Sequence, residues 1–352
     1  MRIRAIWQAV RSVAKHTIRG FGLKKIGVLG AGAWGTALAA AALKAGRETI
    51  LWAREPEVVN AVNVRHENSI FLPGVALDPK LQATSELADL GDCDAILIVS
   101  PAQHLRNMSI SLGAHIRKSA ALVVCSKGIE VSTGKLLSDV LAETTPDNPV
   151  AVLSGPTFAA EVARGLPCAL TLACKDMAVG NALVEALGQP MLRPYYNSDI
   201  IGAQIGGAVK NVLAIATGIV AGLGIGENAR AAVITRGLAE IVRFGSLYGA
   251  QRETLMGLSG LGDLILTCSS TQSRNMSLGK AIGEGRTFAD IMAERNSIAE
   301  GAYTVEIVHK IAVEKGLDMP ITAAVFKILK EGADVRRVTE DLLSRPFTTE
   351  SR

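Results

Sequence analysis

Between Asp199 and Glu227 the chain carries a single charged side chain, Lys210, inside the otherwise apolar run IIGAQIGGAVKNVLAIATGIVAGLG. An unpaired ammonium is expensive to bury. Its site must supply a partner or lower its pKa, which is what a lysine acting as general acid and base requires. A lysine snorkelling from a helix end fits the same position, so the position alone does not choose. Asn211 beside it can hydrogen-bond a neighbouring oxygen. A second cluster runs from Gly257 to Asn275 as GLSGLGDL followed by TCSSTQSRN. Asp263 stands there in a glycine-rich apolar turn, where a carboxylate is either a lysine partner or a helix N-cap. Ser273, Arg274 and Asn275 close a polar loop with one cation. That loop suits either a phosphate, gripped by a two-pronged guanidinium, or bulk solvent.

A third cluster follows two strand-like runs. One delivers Lys127 and Gly128, the other Ser154, Gly155, Pro156, Thr157, Phe158 and Ala159. The carboxyl ends of strands are where open α/β sheets bind ligands. Lys127 could hold substrate oxygens, and the SGPT turn offers backbone N–H groups. Thr157 also reads as the N-cap of the next helix.

The most specific signal is KIGVLGAGAWG, where an apolar strand runs into Gly30-x-Gly32-x-x-Gly35 and then an alanine-rich helix. In that context Gly30 permits a tight turn, Gly32 lets backbone approach a pyrophosphate, and Gly35 lets the helix pack closely. After the run 49–52 come Arg54 and Glu55. An arginine at that strand end accommodates a ribose 2′-phosphate, so NADP(H) is the expected cofactor, with NAD(H) as the alternative. The five histidines fall into no HExxH or similar spacing, and neither a metal site nor a Ser-His-Asp arrangement is expected.

The elements that must position these residues are short β-rich runs at 26–29, 49–52, 95–99, 122–126, 150–154 and 169–173, alternating with helical patterns. That alternation predicts an α/β fold with a doubly wound, mostly parallel sheet of Rossmann type. Near Ile200 the strand runs stop and long apolar helical stretches begin. The expected division is a dinucleotide-binding domain over 24–199, an all-helical substrate domain over 200–345, a basic extension over 1–23 and a tail over 346–352. A cleft is expected between the two domains.

With 352 residues, 49% of them hydrophobic and 20% charged, two cores need no disulfide or metal support. Residues 1–25 hold seven Lys or Arg and no acid, which leaves the remainder with 30 basic against 33 acidic residues. A body charge of −3 does not fit a nucleic-acid binder. The basic stretch reads as a plain extension in preference to a membrane-touching or targeting helix. The five cysteines form no CxxC pair, which fits a reducing cytoplasm. In the apolar run, Lys210 and Asn211 leave too short a remainder to span a bilayer, so a buried core helix is expected and no transmembrane segment.

GAGAWGTALA, SKGIE, SGPTFAAEVARGLP, GGAVKNVLAIATG, GLSGLGDLILTC and QSRN, in this order and spacing, resemble the bacterial NAD(P)-dependent glycerol-3-phosphate dehydrogenase family over roughly residues 24–345. The resemblance implies interconversion of dihydroxyacetone phosphate and sn-glycerol 3-phosphate, the latter for glycerophospholipid synthesis. It implies Lys210 as general acid/base, supported by Asp263. It implies substrate contacts at Lys127, Gly155, Thr157, Lys210, Asp263, Ser273, Arg274 and Asn275. It also implies cofactor contacts at Gly30, Gly32, Ala33, Trp34, Gly35, Arg54, Lys127, Ala159, Arg274, Ile298 and Glu300. A homodimer is the expected assembly. The family often has serine and valine at Ala33 and Ile298, and residues 1–23 lie outside the resemblance. A ketopantoate-type reductase of similar build, or an NADPH sensor without catalysis, are the competing readings. The phosphate-suited Arg274 stands against the first, and the retention of both Lys210 and Asp263 against the second.

Overall fold

A computed structural model describes residues 22–294, 299–346 and 349. The first half builds a central sheet. Its strands are β1 (Lys25–Leu29), β2 (Glu48–Trp52), β5 (Gln82–Thr84), β6 (Ala95–Ile98), β7 (Ala121–Val124), β8 (Val150–Ser154), β9 (Cys168–Cys174) and β10 (Leu192–Asn197), while β3 (Glu67–Asn68) and β4 (Leu72–Ala76) pair separately. The sheet order is β10-β9-β8-β7-β6-β1-β2-β5. All its pairings are parallel except β8 with β9, which run antiparallel. The inner strands read as unbroken apolar runs because helices cover both faces, and every residue of β6 and β7 is buried. Three elements escaped the sequence reading: the three-residue β5, the small β3–β4 pair, and the edge strand β10, whose Pro194 and Arg193 interrupt its apolar pattern.

The helices of this half are α1 (Ala33–Lys44), α2 (Pro56–Asn60), α3 (Leu105–Gly113), α4 (Leu137–Thr144), α5 (Ala159–Arg164) and α6 (Met177–Leu187). After β10 the chain is helical: α7 (Ile200–Leu223), α8 (Glu227–Leu247), α9 (Arg252–Leu255), α10 (Asp263–Cys268), α11 (Arg274–Gly283), α12 (Phe288–Glu294), α13 (Gly301–Glu314), α14 (Pro320–Lys330) and α15 (Val335–Leu343). The expected fold class, a Rossmann-type sheet followed by a helical domain, is the one observed.

α7 is the axis of the second half. Asp199 caps it, accepting the Gly202 N–H at 2.8 Å, and Gly224 ends it in the left-handed conformation at φ +67°. Its 24 residues run unbroken through Lys210, so length and composition alone would let it cross a membrane. Burial decides instead, since 89% of its most apolar window lies inside the fold. α11 crosses it at backbone contact: a Cβ on Gly218 would lie 2.1 Å from the Met276 carbonyl oxygen. That close approach fixes the start of α11 beside the middle of α7, where Lys210 and Asn211 sit.

Candidate active site

Lys210 does not snorkel. Its side chain is 6% exposed, and its Nζ donates to Asp263 Oδ1 at 2.7 Å and to the Thr267 hydroxyl. Asp263, 1% exposed, opens α10 behind a tight turn at Leu258–Gly262 and is the partner of two lysines, not an N-cap; Gly262 holds the cap position. Its Oδ2 accepts from Lys127 Nζ at 2.6 Å, and the same ammonium reaches the Gly155 carbonyl at 3.3 Å. Two ammonium groups around one carboxylate leave a net positive charge where the carboxyl edge of the sheet meets α7. Burial pushes the Lys210 amine down to about 8; the Asp263 carboxylate opposes that shift and the Lys127 charge adds to it.

The SGPT turn follows β8 into the same place. A Cβ on Gly155 would fall 2.7 Å from the Leu170 side chain on β9, so this position has no room for one. Thr157 is not the N-cap expected of it. The helix starts at Ala159 with Phe158 in the cap position, and the Thr157 hydroxyl turns back to the Gly155 carbonyl at 3.3 Å. The extended backbone of Phe158, at φ −99° and ψ 128°, holds the helix start back to Ala159.

The run 273–275 is also more ordered than a polar loop. Ser273 caps α11, accepting the Met276 N–H at 3.2 Å, and Arg274 and Asn275 form its first turn. Asn275, buried, donates to Asn211 Oδ1 at 3.0 Å and accepts from the Gly301 N–H at 3.0 Å. Glu300, just ahead of α13, has an Oε2 atom that is buried with no hydrogen-bond partner among the described residues. Burial raises its carboxyl, against the nearby Arg274 charge.

The glycine motif forms a cradle at the topological switch point, where β1 has β2 on one side and β6 on the other. Gly30 turns at φ +117°, and a Cβ there would lie 3.1 Å from the Val99 carbonyl at the end of β6. A Cβ on Gly35 would sit 1.8 Å from the Gly30 carbonyl oxygen, so the helix start is pressed onto the turn. Over Gly32 there is open space, and α1 has no acid in its first turn to compete with an anion for its N–H groups. The Trp34 Nε1 atom is buried without a partner among the described residues. An open anion cradle beside an orphaned donor fits the pyrophosphate of a dinucleotide. Arg54 lies just past β2, exposed and paired with Glu55 at 2.9 Å. Ala33 and Ala159 open α1 and α5, which pack on each other. Ile298 lies outside the described residues.

Two family models match this chain: the N-terminal model of NAD-dependent glycerol-3-phosphate dehydrogenase over residues 25–180, and its C-terminal model over residues 199–340. The glycerol-3-phosphate dehydrogenase [NAD(P)+] of Parvibaculum lavamentivorans is 56% identical over 93% of this chain and 98% of its own length. The chain belongs to the NAD-dependent glycerol-3-phosphate dehydrogenase family. The enzyme of that name from Erythrobacter litoralis is also 56% identical, over 93% of this chain and 98% of its own. The crystal structure of glycerol-3-phosphate dehydrogenase from Coxiella burnetii superposes with a TM-score of 0.87 at 39% identity, covering 92% of this chain and 99% of that one.

In this glycerol-3-phosphate dehydrogenase family member the expected site residues among those described fall into three groups and one outlier, the first being Gly30, Gly32, Ala33, Trp34, Gly35 and Ala159 at the cradle. Lys127, Gly155, Thr157, Lys210 and Asp263 converge through direct contacts; Asn275 bonds Asn211, the chain neighbour of Lys210, with Ser273 and Arg274 at the same helix start and Glu300 next to Gly301, whose N–H Asn275 accepts. Arg54 stands apart at the outer rim of the cradle. Thr267 was missed. It follows Asp263 by four residues on α10, the spacing that puts two side chains on one helix face, and its hydroxyl meets both Lys210 and Asp263. That spacing was the available signal.

Proposed function

We propose that this protein interconverts dihydroxyacetone phosphate and sn-glycerol 3-phosphate, with Lys210 as the general acid and base. The observation that carries the assignment is the buried Lys210 ammonium, held by the Asp263 carboxylate that Lys127 shares. In the reducing direction Lys210 gives its proton to the C2 oxygen of the ketone as that oxygen becomes an alkoxide; in the oxidising direction it takes the hydroxyl proton away. Asp263 and Thr267 hold the amine toward that oxygen and keep its charged form accessible in a buried place. Lys127, the Gly155–Thr157 turn, Ser273, Arg274 and Asn275 are the groups proposed to hold the substrate, with the lysine and arginine charges facing its phosphate.

A nicotinamide cofactor, when bound, supplies or accepts the hydride at C2. Gly30, Gly32, Ala33, Trp34, Gly35 and Ala159 would hold its pyrophosphate end. Arg54 would hold a ribose 2′-phosphate, favouring NADP(H), and Lys127, Arg274, Ile298 and Glu300 are the further residues proposed to contact the cofactor. The proposal includes a dinucleotide domain over 24–199 and a substrate domain over 200–345. A homodimeric assembly and a supply role for glycerophospholipids belong to it as well and rest on the family resemblance; a cytoplasmic location belongs to it too and rests on five cysteines without a CxxC pair.

The test is oxidation of NADPH followed at 340 nm with dihydroxyacetone phosphate, beside NADH and beside Lys210→Ala. The expected result is turnover that depends on the phosphorylated ketone and drops by more than about 100-fold in the variant. Intact NADPH binding with no turnover on this ketone would sink the assignment.

A further inference from the structure

Residues 125–136, between the end of β7 and the start of α4, carry Lys127 through a stretch with no long helix or strand of its own. A lysine has a flexible four-carbon stem, so the place of its ammonium depends on how firmly its backbone is held. Here the holding groups are Gln103, on the turn after β6, and Arg106, on α3. Gln103 Nε2 donates to the Ile129 carbonyl at 2.9 Å, while its Oε1 accepts from the Val131 N–H at 2.9 Å, so one amide engages the loop backbone two and four residues past Lys127. Arg106 grips Glu130 with both prongs, Nε to Oε1 and Nη2 to Oε2, each at 2.9 Å. Glu130 is 4% exposed and also accepts from the Thr133 hydroxyl, which closes the far side of the loop.

Packing reinforces the same attachment. A Cβ on Gly128 would fall 2.6 Å from the Ala102 side chain, so the loop lies flat on the turn that bears Gln103. Ile129, fully buried, points the other way into the core of the helical half. Among the described bonds neither Gln103 nor Arg106 reaches Lys210 or Asp263; both hold the Lys127 loop, and Arg106 also donates to Glu143 on α4 at 2.9 Å.

We propose that Gln103 and the Arg106–Glu130 pair are positioning residues for Lys127, fixing its ammonium between Asp263 and the bound phosphorylated substrate. The proposal rests on the functional reading above. Their effect is exerted on one lysine, so it must vanish when that lysine's charge is absent, whereas a general contribution to folding would persist.

The experiment is a double-mutant cycle on the full chain: wild type, Gln103→Leu, Lys127→Met and the double variant. Calorimetric titration with sn-glycerol 3-phosphate in saturating NADPH, a pair of two reduced partners between which no hydride can pass, reads binding without turnover. Gln103→Leu should weaken binding about 10-fold when Lys127 is present, the loss expected for about 1.4 kcal/mol of hydrogen bonding, and by less than about 2-fold in the Lys127→Met background. Arg106→Lys, which keeps the charge but not the fork, is read in the same cycle and carries the test if Gln103→Leu does not fold. Equal losses in both backgrounds, or no loss with Lys127 present, would overturn the positioning role. A wild-type protein that gives no heat with sn-glycerol 3-phosphate would instead overturn the functional reading, and this proposal with it.

Discussion

Lys210 is governed by opposing influences of known sign, and these give the site a pH signature. Burial lowers its pKa to about 8, Asp263 raises it and Lys127 lowers it. If Lys210 is the acid for ketone reduction, kcat/KM for dihydroxyacetone phosphate falls as pH rises past about 8; for sn-glycerol 3-phosphate oxidation, which needs the free amine, it climbs through the same region. Asp263→Asn removes the raising influence and should move the midpoint down, while Lys127→Met removes a lowering one and should move it up. Profiles over pH 6–10 check both, at roughly unit resolution, and midpoints that stay put in both variants would assign the titration to another group. Arg54 makes a simpler prediction. Its guanidinium is exposed, paired only with Glu55 at the rim of the cradle among the bonds described. Arg54→Ala should raise KM for NADPH about 10-fold and leave KM for NADH within about 2-fold, as expected for one partly solvated charge-assisted contact. Lys210 was legible in the sequence because it is the lone charge in an apolar run, and Arg54 because it ends a strand. Thr267 was harder to read, since it is one hydroxyl among several in 267–273 and only its four-residue spacing from Asp263 sets it apart.

At the scale of elements, the glycine cradle separates folding from binding. Gly35 and Gly32 sit in one motif, yet a methyl group at the first meets a backbone oxygen at 1.8 Å while the second faces open space with an ordinary φ of −63°. Gly35→Ala should therefore destabilise the protein by roughly 1–3 kcal/mol, because a carbonyl cannot move aside as a side-chain tip can. Gly32→Ala should melt like the wild type and lose cofactor affinity, since its methyl occupies only the space a pyrophosphate needs. Melting curves paired with NADPH titrations check this, and a Gly32→Ala protein that binds NADPH normally would remove the cradle assignment. The motif was readable because its physics is local: strand, turn and helix start lie within eleven residues. The less readable elements depend on distant partners. β10 is held by β9 alone at the edge of the sheet, where Pro194 and its missing N–H are tolerated, so its sequence need not look like a strand. Thr157 misled because its hydroxyl bonds the Gly155 carbonyl while the helix starts at Ala159, with Phe158 in the cap position.

At the scale of the molecule, the two halves share their cores. Ile200 and Ala203 of α7 are buried in the cluster formed by β6, β7 and β8, while Ile129 and Leu136 from the sheet half are buried in the cluster around α7, α11 and α13. Ionic contacts cross at the same place, from Lys127 to Asp263. A division into two domains describes how the chain is laid out, since strands end and helices begin near residue 199. It does not describe two cores that could open separately, because either half unfolding alone would expose the apolar residues it lends to the other. The apolar surface involved is several fully buried aliphatic side chains, each worth about 1.5–3 kcal/mol when removed from water. That coupling is comparable with the whole stability of an ordinary domain. Scanning calorimetry of the full chain should accordingly give one transition whose calorimetric and van't Hoff enthalpies agree. Saturation with NADPH, whose pyrophosphate is proposed to sit on the glycine cradle of the sheet half, should raise that whole transition, by about 2.7 kcal/mol at a hundred times the dissociation constant, and not split it. Two resolved transitions, with only the first moving on NADPH addition, would mean that the shared residues do not couple the halves and that the site between them is assembled by ligand instead of by the fold.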